Sequence, residues 1–409
     1  MDLDVDFARA QFPALQSPWA LFDNAGGSVT PRVVADRVHH YMQHHQVQLG
    51  ASYGLSQSAE AAVRAGEATA ATLLGASVAE TIVGPSTTAN LNTLSLGIGA
   101  LMNPGDEIIV TNLDHESNIG CWRRMASRGD LVLREWMLRP ETASLHLDDL
   151  RDLLTDKTRM VAFTHCANVV GAILDVPTIV AAIRENRADT IVGVDGVAYA
   201  PHRHVDVKAW DVDLYSVSLY KVYGPHLGCV YGRESLILHA AGQNHEFIPE
   251  SQIPYKFQPG NVTHELAAGL PGITDYFASI ADRHQVPEGD PRARHAAVFD
   301  LFSAHEAKLA ARLLEGLNAH DAVTVLGPCV PDPDVRVPTV AFTVKGRDAS
   351  ALPPIFDERG VALRYGHFYA KRAIDALGLA DRGGIVRVSL VHYNTLDEVD
   401  RFLSILGEM

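Results

Sequence analysis

The sequence is short of positive charge. Its 34 lysines and arginines face 49 aspartates and glutamates, a formal charge of −15, and no basic stripe offsets that balance, which excludes nucleic acid and anionic membrane surfaces as expected partners. Cysteine is scarce too: Cys121, Cys166, Cys229 and Cys329 are widely spaced and form no CxxC pair, so neither a disulfide framework nor a zinc knuckle is indicated. Apolar runs of the roughly 18 to 20 residues needed to span a bilayer are missing, and the opening MDLDVDFARAQFP is acidic where a signal peptide is basic and then apolar. The expected location is the cytoplasm. Histidine is plentiful, and His40 and His44 lie one helical turn apart in HHYMQHH, but no carboxylate or third ligand stands nearby. The reading is a solvated helix face, with no metal site.

What is present is a chain of 409 residues that is 47% hydrophobic, too long for one compact core and fit for two domains. ALFDNAGGS (20–28) reads as a short strand entering a Gly-rich bend, followed by a helix capped at Thr30 and Pro31, and a second helix over about 58–74 stops at Gly75. Short apolar strands then alternate with helices: TIVG, EIIVTN (107–112), RMVAFTH (159–165) and TIVGVD (190–195). That alternation predicts an α/β fold with a largely parallel sheet covered on both faces. After residue 233 comes a polar, proline-bearing loop (241–263), one long helical stretch (265–284) and a Pro-Gly-Asp linker at 287–291. Helix (about 295–318), two strands, a helix, a third strand and a closing helix fill the remainder, as in a smaller α+β domain. The expected division is an N-terminal segment 1–20 that packs on the small domain, a large domain 21–286 and a small domain 287–409.

Chemistry-bearing residues gather where these strands end. In GPSTTANL the hydroxyls of Thr87 and Thr88 stand at a helix mouth, where free N–H groups and the helix dipole make an anion site; an ordinary N-cap is the alternative. DHESNIGCW places His115 at the next strand end, and VDGVAYAPH places Asp195 at another, on the carboxyl edge where open α/β sheets place their ligands; a simple strand-end cap is the alternative. Residues 211–233, DVDLYSVSLYKVYGPHLGCVYGR, set Lys221 between two strands beside Ser218 and Tyr220. The lysine is either a surface residue of a hairpin or a buried amine with a lowered pKa.

In this order the Thr-Thr pair, His115, Asp195 and Lys221, with Arg387 in VRVSLVHYNT, resemble the class V aminotransferases of fold type I, the pyridoxal-phosphate enzymes of the cysteine desulfurase branch. The resemblance runs from FDNAGGS to HYNTLDEV. It implies a large domain with a mostly parallel seven-stranded sheet sandwiched by helices, and a smaller α+β C-terminal domain. It makes Lys221 the Schiff-base lysine, His115 the residue stacked on the pyridine ring and Asp195 the partner of the ring nitrogen. Thr87, Thr88, Ser218 and Tyr220 become phosphate contacts, Asn168 approaches the cofactor or substrate, and Arg387 binds the substrate carboxylate. The family's second subunit also contributes to the phosphate site, so Asn261 and Thr263 of PGNVTHE imply a homodimer. Asn24, Tyr53, Arg364, His367 and Tyr369 are pocket-lining candidates by position.

Two departures stand out. RYGHFYA (364–370) carries Tyr369 where desulfurases carry the catalytic cysteine of a loop resembling R-x-G-H-x-C-A, and persulfide chemistry needs a thiolate there. Ala198 stands where the family usually has glutamine or histidine. The pattern resembles the cysteine desulfurase-like subgroup that keeps the cofactor machinery without that cysteine. The expected activity is β-elimination of the C–S lyase type on an amino acid. Transamination, epimerisation or decarboxylation-linked deamination are alternatives, as is a non-catalytic binding role for the fold.

Overall fold

The computed structural model describes residues 2–409. A two-residue strand, β1 (Ala20–Leu21), precedes the strands of a central sheet: β2 (Thr81–Gly84), β3 (Glu107–Thr111), β4 (Val132–Trp136), β5 (Thr158–Thr164), β6 (Ile191–Asp195), β7 (Leu214–Ser218) and β8 (Gly228–Gly232). Their spatial order is β2-β8-β7-β6-β5-β3-β4, with β8 antiparallel to both neighbours and every other adjacent pair parallel. The expected seven-stranded, mostly parallel sheet is present.

The inner strands are mostly apolar because both faces are covered, and their side chains divide by the two-residue period of a strand. Ile109, Val161, Phe163, Val192, Val194 and Val217 enter one core. Their neighbours Ile108, Val110, Met160, Ala162 and Leu214 enter a second core, closed by Leu91, Leu94 and Ile98 of the Thr87–Gly99 helix and by Trp122 of the Ser117–Arg128 helix. The edge strand β4 was not among the strands read from the sequence. It is half-exposed and carries Arg134 and Glu135, so it lacks the apolar run that marks the others.

A second sheet holds β9 (Val323–Leu326), β10 (Thr339–Val344), β12 (Arg364–Gly366) and β13 (Ile385–Ser389) in the antiparallel order β12-β13-β10-β9, and β11 (Val361–Ala362) pairs in parallel with β1. Leu309, Leu313 and Leu317 of the Pro291–Asn318 helix and Val399, Phe402 and Ile405 of the Leu396–Gly407 helix cover it. The latter helix opens on a capping box between Thr395 and Glu398. Arg9, in the first helix, pairs with Glu398, and Asp4 pairs with Arg283, so the N-terminus is tied to both layers.

The single helix expected over 265–284 is divided into His264–Gly269 and Pro271–Arg283. Leu270 keeps helical dihedrals, but Pro271 has no N–H to donate and the ladder is interrupted there. Among the described residues no helix is long and apolar enough to cross a membrane, and no group of three or more His, Cys, Asp or Glu is placed to hold a metal.

Candidate active site

The carboxyl ends of β6, β7 and the neighbouring strands open into one recess. Its lining includes Ser86, Thr87, Thr88, His115, Ser117, Cys166, Asn168, Asp195, Ala198, Ser218, Tyr220 and Lys221. Nine of the positions singled out in the sequence therefore meet in one place, although they are spread from residue 87 to residue 221 of the chain.

One end of the recess is built for an anion. Ser86 caps the Thr87–Gly99 helix by accepting from the Ala89 N–H, and its dihedrals are extended, so the first helical N–H groups lie at the recess. The Thr87 hydroxyl is 2.8 Å from that of Ser218 and 3.1 Å from the Val217 carbonyl, which joins the helix mouth to the end of β7. This approach requires a glycine on β8: a Cβ at Gly228 would stand 2.2 Å from the Thr87 nitrogen. Gly228→Ala is accordingly expected to lower stability by on the order of 3 kcal/mol and to weaken phosphate binding, as urea unfolding and a phosphate titration of the purified variant will show.

The other end carries Asp195, 4% exposed, whose Oδ1 accepts from the Val197 N–H at 2.9 Å. Burial raises its pKa, while that hydrogen bond and Lys221 oppose the rise. Behind it, His165 stacks on Tyr199 with ring centres 3.6 Å apart and bonds the Tyr215 hydroxyl, and a Cβ at Gly196 would collide with the Tyr215 ring. These aromatics seal the floor beneath the carboxylate.

Lys221 ends a short turn, Leu219–Lys221, directly after β7, and is 7% exposed. Burial first, and then the Arg387 charge, bring its pKa down from the usual 10.5 to about 8, against the pull of Asp195 and Asp23. The buried-amine alternative is the one the structure adopts. Below pH 8 the free amine falls roughly tenfold per unit. The rate at which pyridoxal phosphate becomes attached to the protein should therefore climb with pH and level off above about 8, where an ordinary lysine would keep climbing toward 10.5, and stopped-flow absorbance will read that profile.

His115 sits in the recess with its Nδ1 bonded to the Ser117 hydroxyl. Burial, with Lys221 and Arg387 nearby, lowers its pKa to about 4, so the ring is neutral. The Tyr369 ring lies 5.1 Å from it. Tyr369 is 66% exposed and follows Phe368 in a loop where both residues have positive φ, 48° and 60°, a conformation side chains adopt at a cost. Two backbone bonds hold that loop: Asn168 Nδ2 donates to the Phe368 carbonyl at 2.9 Å, and the Glu116 N–H donates to the Tyr369 carbonyl at 2.8 Å.

Arg387 is 1% exposed and flanks this loop, its guanidinium 3.9 Å from the Phe368 ring centre. It donates to the Asn168 carbonyl and to Asp23, both at 2.9 Å, while its Nε is buried without a partner. Burial lowers its pKa to about 10, and it stays charged.

Other candidates stand elsewhere. Asn24 is spent on structure: its amide donates to the carbonyls of Leu21 and Ser389, and its oxygen accepts from the Tyr393 hydroxyl. Tyr53 is exposed at the start of the Gly54–Leu74 helix. His367 is exposed and accepts from the Tyr369 N–H. Asn261 and Thr263 are exposed and lie outside the recess, Asn261 lining a separate groove with Gln48, Arg64 and Gln258.

Sequence reasoning overlooked Asp114, Ser216 and Asp23. Asp114 is fully buried beside His115, held by Asn118 at 2.7 Å, and its pKa is driven up by burial and by Asp195. Its signal was a carboxylate just past the carboxyl end of β3, next to His115. Cys166 does line the recess, but burial raises its thiol to about 12, so it supplies no thiolate at neutral pH.

The donor set fits pyridoxal phosphate. Hydroxyls and helix N–H groups suit its phosphate, a buried carboxylate suits its ring nitrogen, and an amine of lowered pKa lines the same recess. Asn168 Oδ1 is buried without a partner at this site, as expected of a group that awaits a ligand.

The comparisons agree with this geometry. A family model described as aminotransferase class-V matches residues 20–281 and 294–402. An aminotransferase-like protein of Gibberella zeae is 37% identical over 406 residues, covering 98% of this chain and 96% of that protein. A cysteine desulfurase-like protein of Aspergillus flavus is 31% identical over 416 residues, covering 100% and 91%. Among solved structures, the apo cysteine desulfurase of Thermococcus onnurineus superposes with a TM-score of 0.87 at 25% identity, covering all of this chain and 98% of that one.

Proposed function

The chain belongs to the class V aminotransferase family, and on that premise we propose that it is a pyridoxal-phosphate-dependent lyase that removes the Cα proton of an amino acid and expels a substituent from Cβ. The observation that carries this reading is Lys221: a buried amine of pKa about 8 that lines one recess with a helix mouth suited to an anion and a buried carboxylate.

Thr87, Thr88 and Ser218 would hold the phosphate with the helix N-terminus, Tyr220 beside them, and Asn261 and Thr263 of a second subunit would complete that end in a homodimer. Neutral His115 would lie against the pyridine ring, and Asp195 would hold the proton on its nitrogen. Bound there, the cofactor supplies an electron sink for the pair left at Cα. Lys221 takes the Cα proton and can return it, since a base with a pKa near working pH serves both directions. Arg387 fixes the carboxylate so that the Cα–H bond faces Lys221, and Asn168, which bonds both Arg387 and the Phe368 carbonyl, keeps that fork and the loop in one frame.

The chain is not equipped for persulfide transfer. Position 369 is tyrosine, the thiols of Cys121, Cys166 and Cys229 are pushed up to about 12 by burial, and Cys329 lies outside the recess. Tyr369 closes the mouth beside His115. Incubation with cysteine S-conjugates is expected to release pyruvate and ammonia in equal amounts. A keto acid that retains the substrate side chain, together with the aminated cofactor, would make the enzyme an aminotransferase instead.

A further inference from the structure

Arg387 is not the only cation beside the recess. β12 and β13 pair so that Arg364 stands directly opposite Arg387, and the Asp23 carboxylate lies between them: Oδ1 accepts from Arg387 Nη2 at 2.9 Å and Oδ2 meets Arg364 Nε at 2.7 Å. Both guanidinium groups lie near one face-forming ring, Phe368, at 3.9 and 5.7 Å. The bend of FDNAGGS makes room for this bridge. A Cβ at Gly26 would come to 3.0 Å from Asp23 Oδ2 and 3.2 Å from Arg364 Nη2. Asp23 is itself held by a bridge to Ser389, two residues beyond Arg387 on β13.

The burial is uneven. The Arg387 side chain is 2% exposed, that of Asp23 27% and that of Arg364 55%. Arg387 has one carboxylate partner, one backbone carbonyl and a buried Nε with nothing to bond. A buried guanidinium with one ion-pair partner takes its orientation from that partner. The charges of the two arginines and the aspartate sum to one positive charge, which matches one incoming carboxylate.

We infer that Asp23 is a positioning residue: by bridging Arg364 and Arg387 it holds the Arg387 guanidinium in the orientation that receives the α-carboxylate of an amino acid. This rests on the reading of the recess as an amino-acid site. Arg364 draws one Asp23 oxygen outward, so the inner arginine is braced without being saturated.

The test uses the cofactor-loaded protein and a matched pair of probes, S-methyl-L-cysteine and 2-(methylthio)ethylamine, which differ only in the carboxylate. Asp23→Asn is expected to weaken S-methyl-L-cysteine binding, read from the visible spectrum, by about ten- to hundredfold, to leave the amine within about twofold, and to leave kcat within about threefold. Arg364→Gln, at an exposed position, should shift S-methyl-L-cysteine in the same direction and so carries the test if Asp23→Asn does not fold. A second readout needs no turnover. The charged groups bearing on Lys221 are Arg387, Asp195, Asp23 and Arg364, with neutral His115 alongside, and Asp23 is one that raises its pKa. In the Asp23→Asn apoprotein the pH profile for pyridoxal phosphate attachment should therefore move to lower pH. Equal losses for both probes would mean general damage to the site, and tighter or unchanged binding of S-methyl-L-cysteine would mean that Asp23 competes for Arg387 or does nothing; each overturns the inference. Wild-type protein that binds neither probe overturns the amino-acid reading and this inference with it.

Discussion

Lys221→Ala is expected to yield a folded protein that stays unlinked to pyridoxal phosphate and loses at least roughly 10³-fold in turnover. Two roles fall together, since the same amine anchors the cofactor and carries the Cα proton. The loss should not come from unfolding. Lys221 lies 7% exposed with its pKa lowered from 10.5 to about 8 chiefly by burial, so below that value the fold holds an ammonium it disfavours. Sign and window follow: the charge costs stability at all pH below about 8, and that cost fades as pH rises through 8 toward 10.5. The variant should melt no lower than wild type at pH 7. A drop in melting temperature alongside the lost activity would mean that Lys221 is structural. Added methylamine that restores part of the turnover would confirm that the missing amine is the cause.

Asp195→Asn is expected to cost about 10²- to 10³-fold in kcat while the cofactor still attaches to Lys221. The amide keeps the shape and can still accept from the Val197 N–H, but it carries no charge to hold a proton on the ring nitrogen. Because Asp195 also raises the Lys221 pKa, the attachment profile of this variant should move below pH 8, the same direction as Asp23→Asn. The two variants part on the substrate side: Asp195→Asn should lose kcat with little change in carboxylate binding. A variant that retains full kcat would remove Asp195 from the mechanism.

The fold was legible where elements declare themselves locally. β3 and β5 are short apolar runs between helices, β6 is one that follows a helix, and Gly75 ends its helix in the left-handed conformation that only glycine takes freely, with φ of 71°. β4 escaped because an edge strand with Arg134 and Glu135 has one dry side at most. The helix break at Pro271 was readable in principle from the missing N–H, but the apolar pattern runs through it.

Within the site the same division holds. Asp195 ends β6, and Thr87, His115 and Lys221 closely follow the carboxyl ends of β2, β3 and β7, so their placement at one sheet edge follows from where those strands stop. Ser216 and Asp23 matter only through neighbours that sequence order conceals. Ser216 faces Asp195 because β6 lies beside β7 in that register, and Asp23 acquires its two arginines only when β12 pairs with β13. Asn24 illustrates the converse: adjacent to Asp23 in the chain, it turns the other way into the Ser389–Tyr393–Asn394 network.

The central claim is that one lysine organises the recess. The direct measurement is to load the purified protein with pyridoxal phosphate, trap the linkage with borohydride, digest it and locate the label by mass spectrometry. The account predicts a single labelled peptide, modified at Lys221, and none from the Lys221→Ala protein. A label on another lysine, or no label at all, would contradict it.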